Sequence, residues 1–522
     1  MATARRGGGR VRVCAAFLAC FALVGWGCAR VWEARFVRPP PPIALDPDAR
    51  FVKCHMADGT VYVFDHWALT QGRWLYGTAT YYSAGRDILR RGDFNLDLAS
   101  VALIETNRPQ DLPRAGYAVV GVISALGIGL GAYCAASPKS CFGSCPTFYA
   151  SNGRGMALQA EGFSASIARS LEETDVDALA SDHITGGPYA VVMRNEAFET
   201  HFVDSVRLLS VPRRPGRRVV RAGGTFLDAG APRAPATCAA GGADCRRFVA
   251  ALDGDELSSR VDATDLAARE TVTLSFADVA GRRALLLSAR NTFVNTFIYY
   301  QLLAFMGRSA SDWLLTLEQG GTRAGARLRA MSDPLAHITV RVEDGRGGWR
   351  DAGTFSEVGP IATDTEAIPL PGAGVEGRPL RIQLEMAKGS FRLDRAALVG
   401  LGDALTPRPL APVRVRVVDG HGEAAAARAA LAPGGDHLVT YPGDAYEISF
   451  ELPPGPQQLF LESRGYYYEW MRREWLTEED PGEVQRFFAS PREAYRRWAP
   501  AFARIEPDME RAFWTSRFRQ GP

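Results

Sequence analysis

Two cysteine pairs, a run of acids and one histidine among polar neighbours are the residues here whose types and spacing could do chemistry. Cys141 and Cys145 enclose a very short loop, and Cys238 and Cys245 enclose another in "TCAAGGADC". Thiols so close in sequence are expected to form two local disulfides in an oxidising compartment. Zinc is the rival, but C-x3-C without a second Cys or His pair at ligand spacing does not build a zinc site, and no metal is expected. Cys54 and Cys134 are left as a third pair or as free buried thiols.

Glu172, Glu173, Asp175 and Asp177 could supply the opposed carboxylates of a glycoside hydrolase, although acids this close in sequence more often make a solvated face. His201 in "ETHFVDS" has Glu199 on the same strand face and Asn195 or Glu196 across a hairpin, which reads as a structural histidine. Tyr466, Tyr467, Tyr468, Trp470 and Trp475 could form a stacking platform for sugar rings or a docking surface for a protein, because flat amphipathic rings suit both, although the favoured reading is that alternate rings complete the sandwich core. "DFNLD" imitates the start of a calcium loop. Leu98 stands where the loop needs Gly and Ile104 where it needs an acid, so Phe94, Leu96 and Leu98 are one face of a strand.

No G-x-S-x-G elbow, H-E-x-x-H helix, phosphate loop or dinucleotide fingerprint is present. Catalytic residues and cofactors are therefore expected to be none. Net charge is +2, with 60 basic residues against 58 acidic ones, so no global field favours nucleic acid.

The elements that must position these residues start with two apolar runs. Arg5, Arg6, Arg10 and Arg12 precede "VCAAFLACFALVGWGC", the charged and apolar regions of an export signal or an uncleaved anchor over 1–28. Cys28 is a candidate lipid-attachment cysteine, against which Trp26 stands where such signals prefer a small residue. Residues 29–50, with "RPPPPIALDPD", read as a Pro-rich spacer. The uncharged stretch 115–136 is long enough to cross a bilayer. Its Gly127 and Gly131 would also let a buried helix approach a neighbour closely, so spanning and burial both stay open.

At 522 residues about three or four domains are expected, and 53 Gly with 32 Pro favour short strands and turns. The fold class is mainly β and multidomain. Residues 51–110 ("TVYVF", "WLYGTATYY", "FNLDLASVALIE") read as a small β-barrel or roll, and 141–215 as a hairpin domain. A mixed segment, 216–330, holds a buried helix at 292–306 capped by Asn291, apolar on nearly every side. Short alternating runs make 331–402 a β-sandwich and 412–465 a second β module. Residues 466–522 form an aromatic-rich helical tail. There Ser490 to Glu493 is a capping box with Pro at the first helical position, and Tyr495, Trp498 and Phe502 recur at helical spacing.

Ser144-Cys145-Pro146 after an apolar Gly-rich run, "EGFSASIA", "DVDAL" and "RNEAFETHFVDSVRLL" carry a resemblance to a group of uncharacterised bacterial envelope proteins, often predicted lipoproteins. That resemblance implies a place in the bacterial envelope and imports no activity. The expected function is a non-enzymatic, membrane-associated envelope protein, with most of the chain extracytoplasmic. It would act as a binding or scaffold component, an accessory subunit of a larger assembly with protein partners. The alternative is an envelope protein that binds a glycan or cleaves glycosides.

Overall fold

A computed structural model describes residues 30–37, most of 43–82, 88–111, 145–310, 334–418, 423–469 and 478–516, with breaks of a few residues. Residues 1–28, the run 115–136, Cys28, Cys134, Cys141, Trp470 and Trp475 lie outside the described residues. The architecture is mainly β, in several sheets with a few short helices. Among the described residues no helix is long and apolar enough to cross a membrane.

The chain divides into two compact units. The first holds one antiparallel sheet of six strands. They are β1 (Arg30–Val37), β2 (Val52–Met56), β3 (Val61–Thr70), β4 (Trp74–Tyr82), β5 (Ile88–Asp97) and β6 (Val101–Asp111), in the order β1-β6-β2-β3-β4-β5. Its core of Val52, Cys54, Phe64, Leu75, Leu96 and Ile104 comes from alternate strand positions, as the period of two requires, and Leu98, expected on the strand face of Phe94 and Leu96, joins that core from a 3-10 turn that Asp97 caps after the end of β5. The expected spacer at 29–50 is corrected here. "RVWEARFV" pairs as β1 with Ile104 to Asp111 of β6, because its backbone groups find ladder partners there before the prolines begin. Gly77 has φ +152°, and a Cβ there would lie 2.0 Å from the His66 carbonyl oxygen, so only glycine lets β3 approach at its bulge.

The second unit contains two sandwiches, one inserted in the other. In the outer sandwich one sheet has the order β24-β26-β10-β7-β8, made of β7 (Thr147–Ser151), β8 (Met156–Glu161), β10 (Gly187–Arg194), β24 (Arg414–Val417) and β26 (Ala445–Leu452). The facing sheet has the order β23-β11-β27-β9, with β25 also on β11. Its strands are β9 (Glu173–Ala178), β11 (Glu199–Pro212), β23 (Arg408–Leu410), β25 (Leu438–Thr440) and β27 (Gln457–Glu469). Val191, Ile448 and Phe450 from one sheet meet Val203, Val206, Leu208, Leu459 and Leu461 from the other. Each fully buried side chain of this kind contributes about 1.5–3 kcal/mol.

This pairing corrects the domain boundaries. Strands of 412–465 are not a separate module but complete the sheets begun in 141–215. Strand alternation records which face of a strand is buried and is silent on which distant strand lies beside it.

The inserted sandwich leaves the outer one after β11 and returns at β23, where Ser210 lies opposite Arg408. One of its sheets runs β12-β13-β22-β17-β20, from β12 (Arg218–Ala222), β13 (Thr225–Ala229), β17 (Arg283–Asn291), β20 (Asp364–Pro369) and β22 (Phe391–Leu405). The other runs β15-β14-β16-β21-β18-β19, from β14 (Thr237–Ala240), β15 (Ala243–Asp244), β16 (Arg269–Ala277), β18 (Ile338–Glu343), β19 (Trp349–Phe355) and β21 (Pro379–Ala387). Residues 331–402, expected as a sandwich of their own, share both of its sheets with strands of 216–330.

Cys238 and Cys245 form the expected disulfide and bury it in this sandwich's core beside the one-turn helix α1 (Arg246–Val249). Helix α2 (Val294–Met306) is buried as expected, but Asn291 does not cap it. Asn291 ends β17, and Phe293 precedes the helix with no side-chain cap. A single-turn α3 (Ala425–Ala430) follows β24. The tail is helical from α4 (Pro481–Ala489) into α5 (Pro491–Ser516), and Tyr495, Trp498 and Phe502 pack on α2 as their spacing predicts.

Candidate functional site

The paired strands β11 and β27 carry a polar cluster on each face. On the face turned into the outer sandwich, Glu199 lies opposite Glu469 and His201 opposite Tyr467, and all four side chains are buried. His201 Nε2 is 2.9 Å from Glu199 Oε2. Burial pushes the imidazole down to about 3, outweighing the opposite pull of Glu469 and Asp444, so the contact is a neutral N–H donating to a carboxylate. Tyr300 of α2 donates its hydroxyl to Glu469, and Tyr467 donates to the Ser164 carbonyl at 3.1 Å.

Cys145 is buried in the same core as a free thiol, and Cys141, the disulfide partner expected for it, lies outside the described residues. Its thiol is held well above the usual range by burial first, then by Glu199 and Glu161. A cysteine kept protonated in this way is not an activated nucleophile. Cys54 is likewise a free buried thiol.

On the other face the strand register shifts between Val203 and Ser205. The bulge keeps Val203 and Val206 both in the core and leaves Asp204 aimed outward. Asp204 meets Glu172, which follows a single 3-10 turn, and His437, just before β25. One ligand-type atom from each of the three lies within 4.8 Å of the others. His437 Nε2 is 2.9 Å from Glu172 Oε1. Arg464 of β27 donates to Glu172 at 3.0 Å and to Thr174 Oγ1 at 3.3 Å, and its Nε is 3.6 Å from Asp204. These side chains are part-exposed, 18% for Glu172, 34% for Asp204 and 25% for His437.

Behind this cluster Phe202 and Tyr466 stack at 4.7 Å, Tyr468 closes on both edgewise, and the His437 ring meets Tyr466 edge-on at 5.4 Å. Tyr466, Tyr467 and Tyr468 are thus buried, which corrects their reading as an exposed platform. They lie in a central strand, where alternate rings fill both faces instead of meeting solvent.

The run of acids is divided among different partners. Glu172 joins His437 and Arg464, while Asp175 and Asp177 share a face of β9 near the inserted sandwich. There Arg221 donates to Asp364 at 2.9 Å and lies 3.7 Å from Glu366. Burial, with Asp364 adding to it, raises Asp175 to about 6. A separate open groove of about 530 Å³ is lined by Arg260, Val261, Ala263, Pro500, Ala503 and Arg504, with no acid or thiol among them. Asp204, His437 and Arg464 carry no local signal in the sequence; only the bulge and the pairing of distant strands bring them together.

No family model matches the chain, and no curated protein matches it. Among solved structures, the secreted serine protease VesC from Vibrio cholerae aligns at 7% identity over 72% of this chain and 99% of that one, with a TM-score of 0.14. A structure of infectious bursal disease virus Gt strain aligns at 9% identity over 91% of this chain and 94% of that one, also with a TM-score of 0.14. Similarity this slight carries no argument about fold or activity.

Proposed function

We propose that the chain is a non-enzymatic, membrane-associated protein of the bacterial envelope that serves as a binding or scaffold component. The observation that supports it most is the buried Cys238–Cys245 bond, since such bonds persist in oxidising compartments. The arginine-flanked apolar N-terminus supports the same reading. So does the state of the buried cluster, whose thiol and imidazole are both held neutral. The test is protease accessibility in intact spheroplasts, read with an antibody to the chain and with lysed spheroplasts as the control. Cleavage of the chain before lysis is expected. Cleavage only after lysis overturns the extracytoplasmic placement.

Glycan binding is the second reading, and a different set of rings favours it. Trp74 and Tyr76 are 39% and 53% exposed on one face of β4, and their cross-strand partners are Asp97 and Asn95. Exposed rings beside carboxylate and amide groups match the apolar faces and hydroxyls of a sugar.

A further inference from the structure

We propose that Glu172, Asp204 and His437 form a binding site for a divalent transition-metal ion of the zinc class, with Arg464 as the cation that holds the carboxylates when no metal is present. The donor set is two carboxylate oxygens and one imidazole nitrogen, a combination suited to Zn²⁺ and its first-row neighbours and poor for the all-oxygen shells of Ca²⁺ and Mg²⁺. The three donors come from the end of a 3-10 turn, a strand bulge and the lead into β25, and their ligand atoms already lie within 4.8 Å of one another. In a tetrahedral shell with metal–ligand bonds near 2.0–2.2 Å the ligand atoms stand about 3.4 Å apart, so the His437–Glu172 contact opens slightly from 2.9 Å while a pair as wide as 4.8 Å closes by about 1.4 Å.

His437 is oriented from behind by Tyr466, which is itself stacked on Phe202, so the imidazole is held by packing as well as by its carboxylate. The three side chains are part-exposed, which leaves an entry path and room for water as the fourth ligand. Arg464 is the competing charge. Its guanidinium pairs with both carboxylates, and its side chain is 40% exposed, so water is at hand to solvate the charge when it turns away. Binding therefore displaces a cation from the carboxylates.

The experiment is titration of the full chain with Co²⁺, followed by its visible absorption, and with Zn²⁺, followed by calorimetry and thermal shift. One tightly bound equivalent is expected, with tetrahedral Co²⁺ bands, a metal-dependent rise in melting temperature and reversal by chelator. Arg464→Gln should bind about tenfold tighter or more, because a positive charge next to the ion is removed. His437→Ala and Asp204→Asn should each weaken binding by about a hundredfold or more.

A simple ion-pair network predicts the opposite for Arg464→Gln, a destabilised protein with no gain in affinity. That result, or the absence of a stoichiometric Co²⁺ spectrum in both wild type and Arg464→Gln, overturns the proposal. Binding that survives His437→Ala assigns the ion to another site and overturns it equally. Circular dichroism of each variant separates loss of the site from loss of the fold.

Discussion

His201 and Glu199 sit two residues apart on β11 with 2.9 Å between Nε2 and Oε2, and both side chains are sealed from solvent. A histidine and a carboxylate in contact usually suggest an ion pair. Here burial wins and the imidazole stays neutral, because charging it would place a cation where no water can solvate it.

The pH dependence follows from that state. The folded imidazole is at about 3 against an ordinary 6.5, so between those values the unfolded chain binds a proton that the native one does not. Stability contributed by His201 is full above pH 6.5 and falls by a few kcal/mol as pH drops towards 3. His201→Gln keeps a donor for Glu199 and should flatten this slope in urea melts run across the window.

Asp175 titrates in the reverse sense. Burial and Asp364 hold its folded carboxyl at about 6, above the ordinary 3.8, so its contribution is complete below pH 3.8 and is lost as pH rises through 6. Asp175→Asn should stabilise the protein by about 1–2 kcal/mol at pH 7 and change little at pH 3.5. Denaturant midpoints at the two pH values check it.

Cys145 is predicted to resist alkylation in the native protein and to react fully once unfolded, because the thiol is both inaccessible and protonated. Intact-mass analysis under the two conditions reads this directly. Cys145→Ser should cost about 1–3 kcal/mol by burying a hydroxyl, and more than Cys145→Ala if no acceptor is in reach.

The Cys238–Cys245 bond closes a loop of sequence separation 7 inside the inserted sandwich. Its removal in the Cys238→Ala, Cys245→Ala double variant should lower stability by about 2–3 kcal/mol. The wild type treated with reductant should melt at the temperature of the double variant.

Trp74→Ala and Tyr76→Ala remove exposed rings and should leave the stability of the protein within about 0.5 kcal/mol of wild type. If that face binds glycans, affinity electrophoresis in polysaccharide gels will show retardation of the wild type and loss of it in both variants.

Element types were legible along most of the chain. Alternation marked the strands around Leu96, Val203 and Ile382, and three aromatics at helical spacing marked the face of α5 that packs on α2. The Cys238–Cys245 pair was legible because a short loop leaves those thiols few other partners. Cys141 and Cys145 gave the same signal, yet Cys145 is a free buried thiol, and Cys141 lies outside the described residues. For Tyr466, Tyr467 and Tyr468 the sequence offered both a surface platform and alternate rings completing the core. A run of rings reads alike on an exposed edge and in a central strand, and β27 is central, so the rings fill the core.

The sequence by itself determined the mainly β class, the buried apolar helix and the local disulfide, because each is written in periodicity or spacing within a few residues. Tertiary structure alone decided that residues 145–212 and 408–469 share one sandwich with the second inserted between them. It also decided that Glu172, Asp204, His437 and Arg464 meet. Strand pairing joins residues more than 200 positions apart through backbone hydrogen bonds that any side chain permits. Sequence therefore constrains which face each strand buries and leaves the choice of neighbour to the packing of the whole.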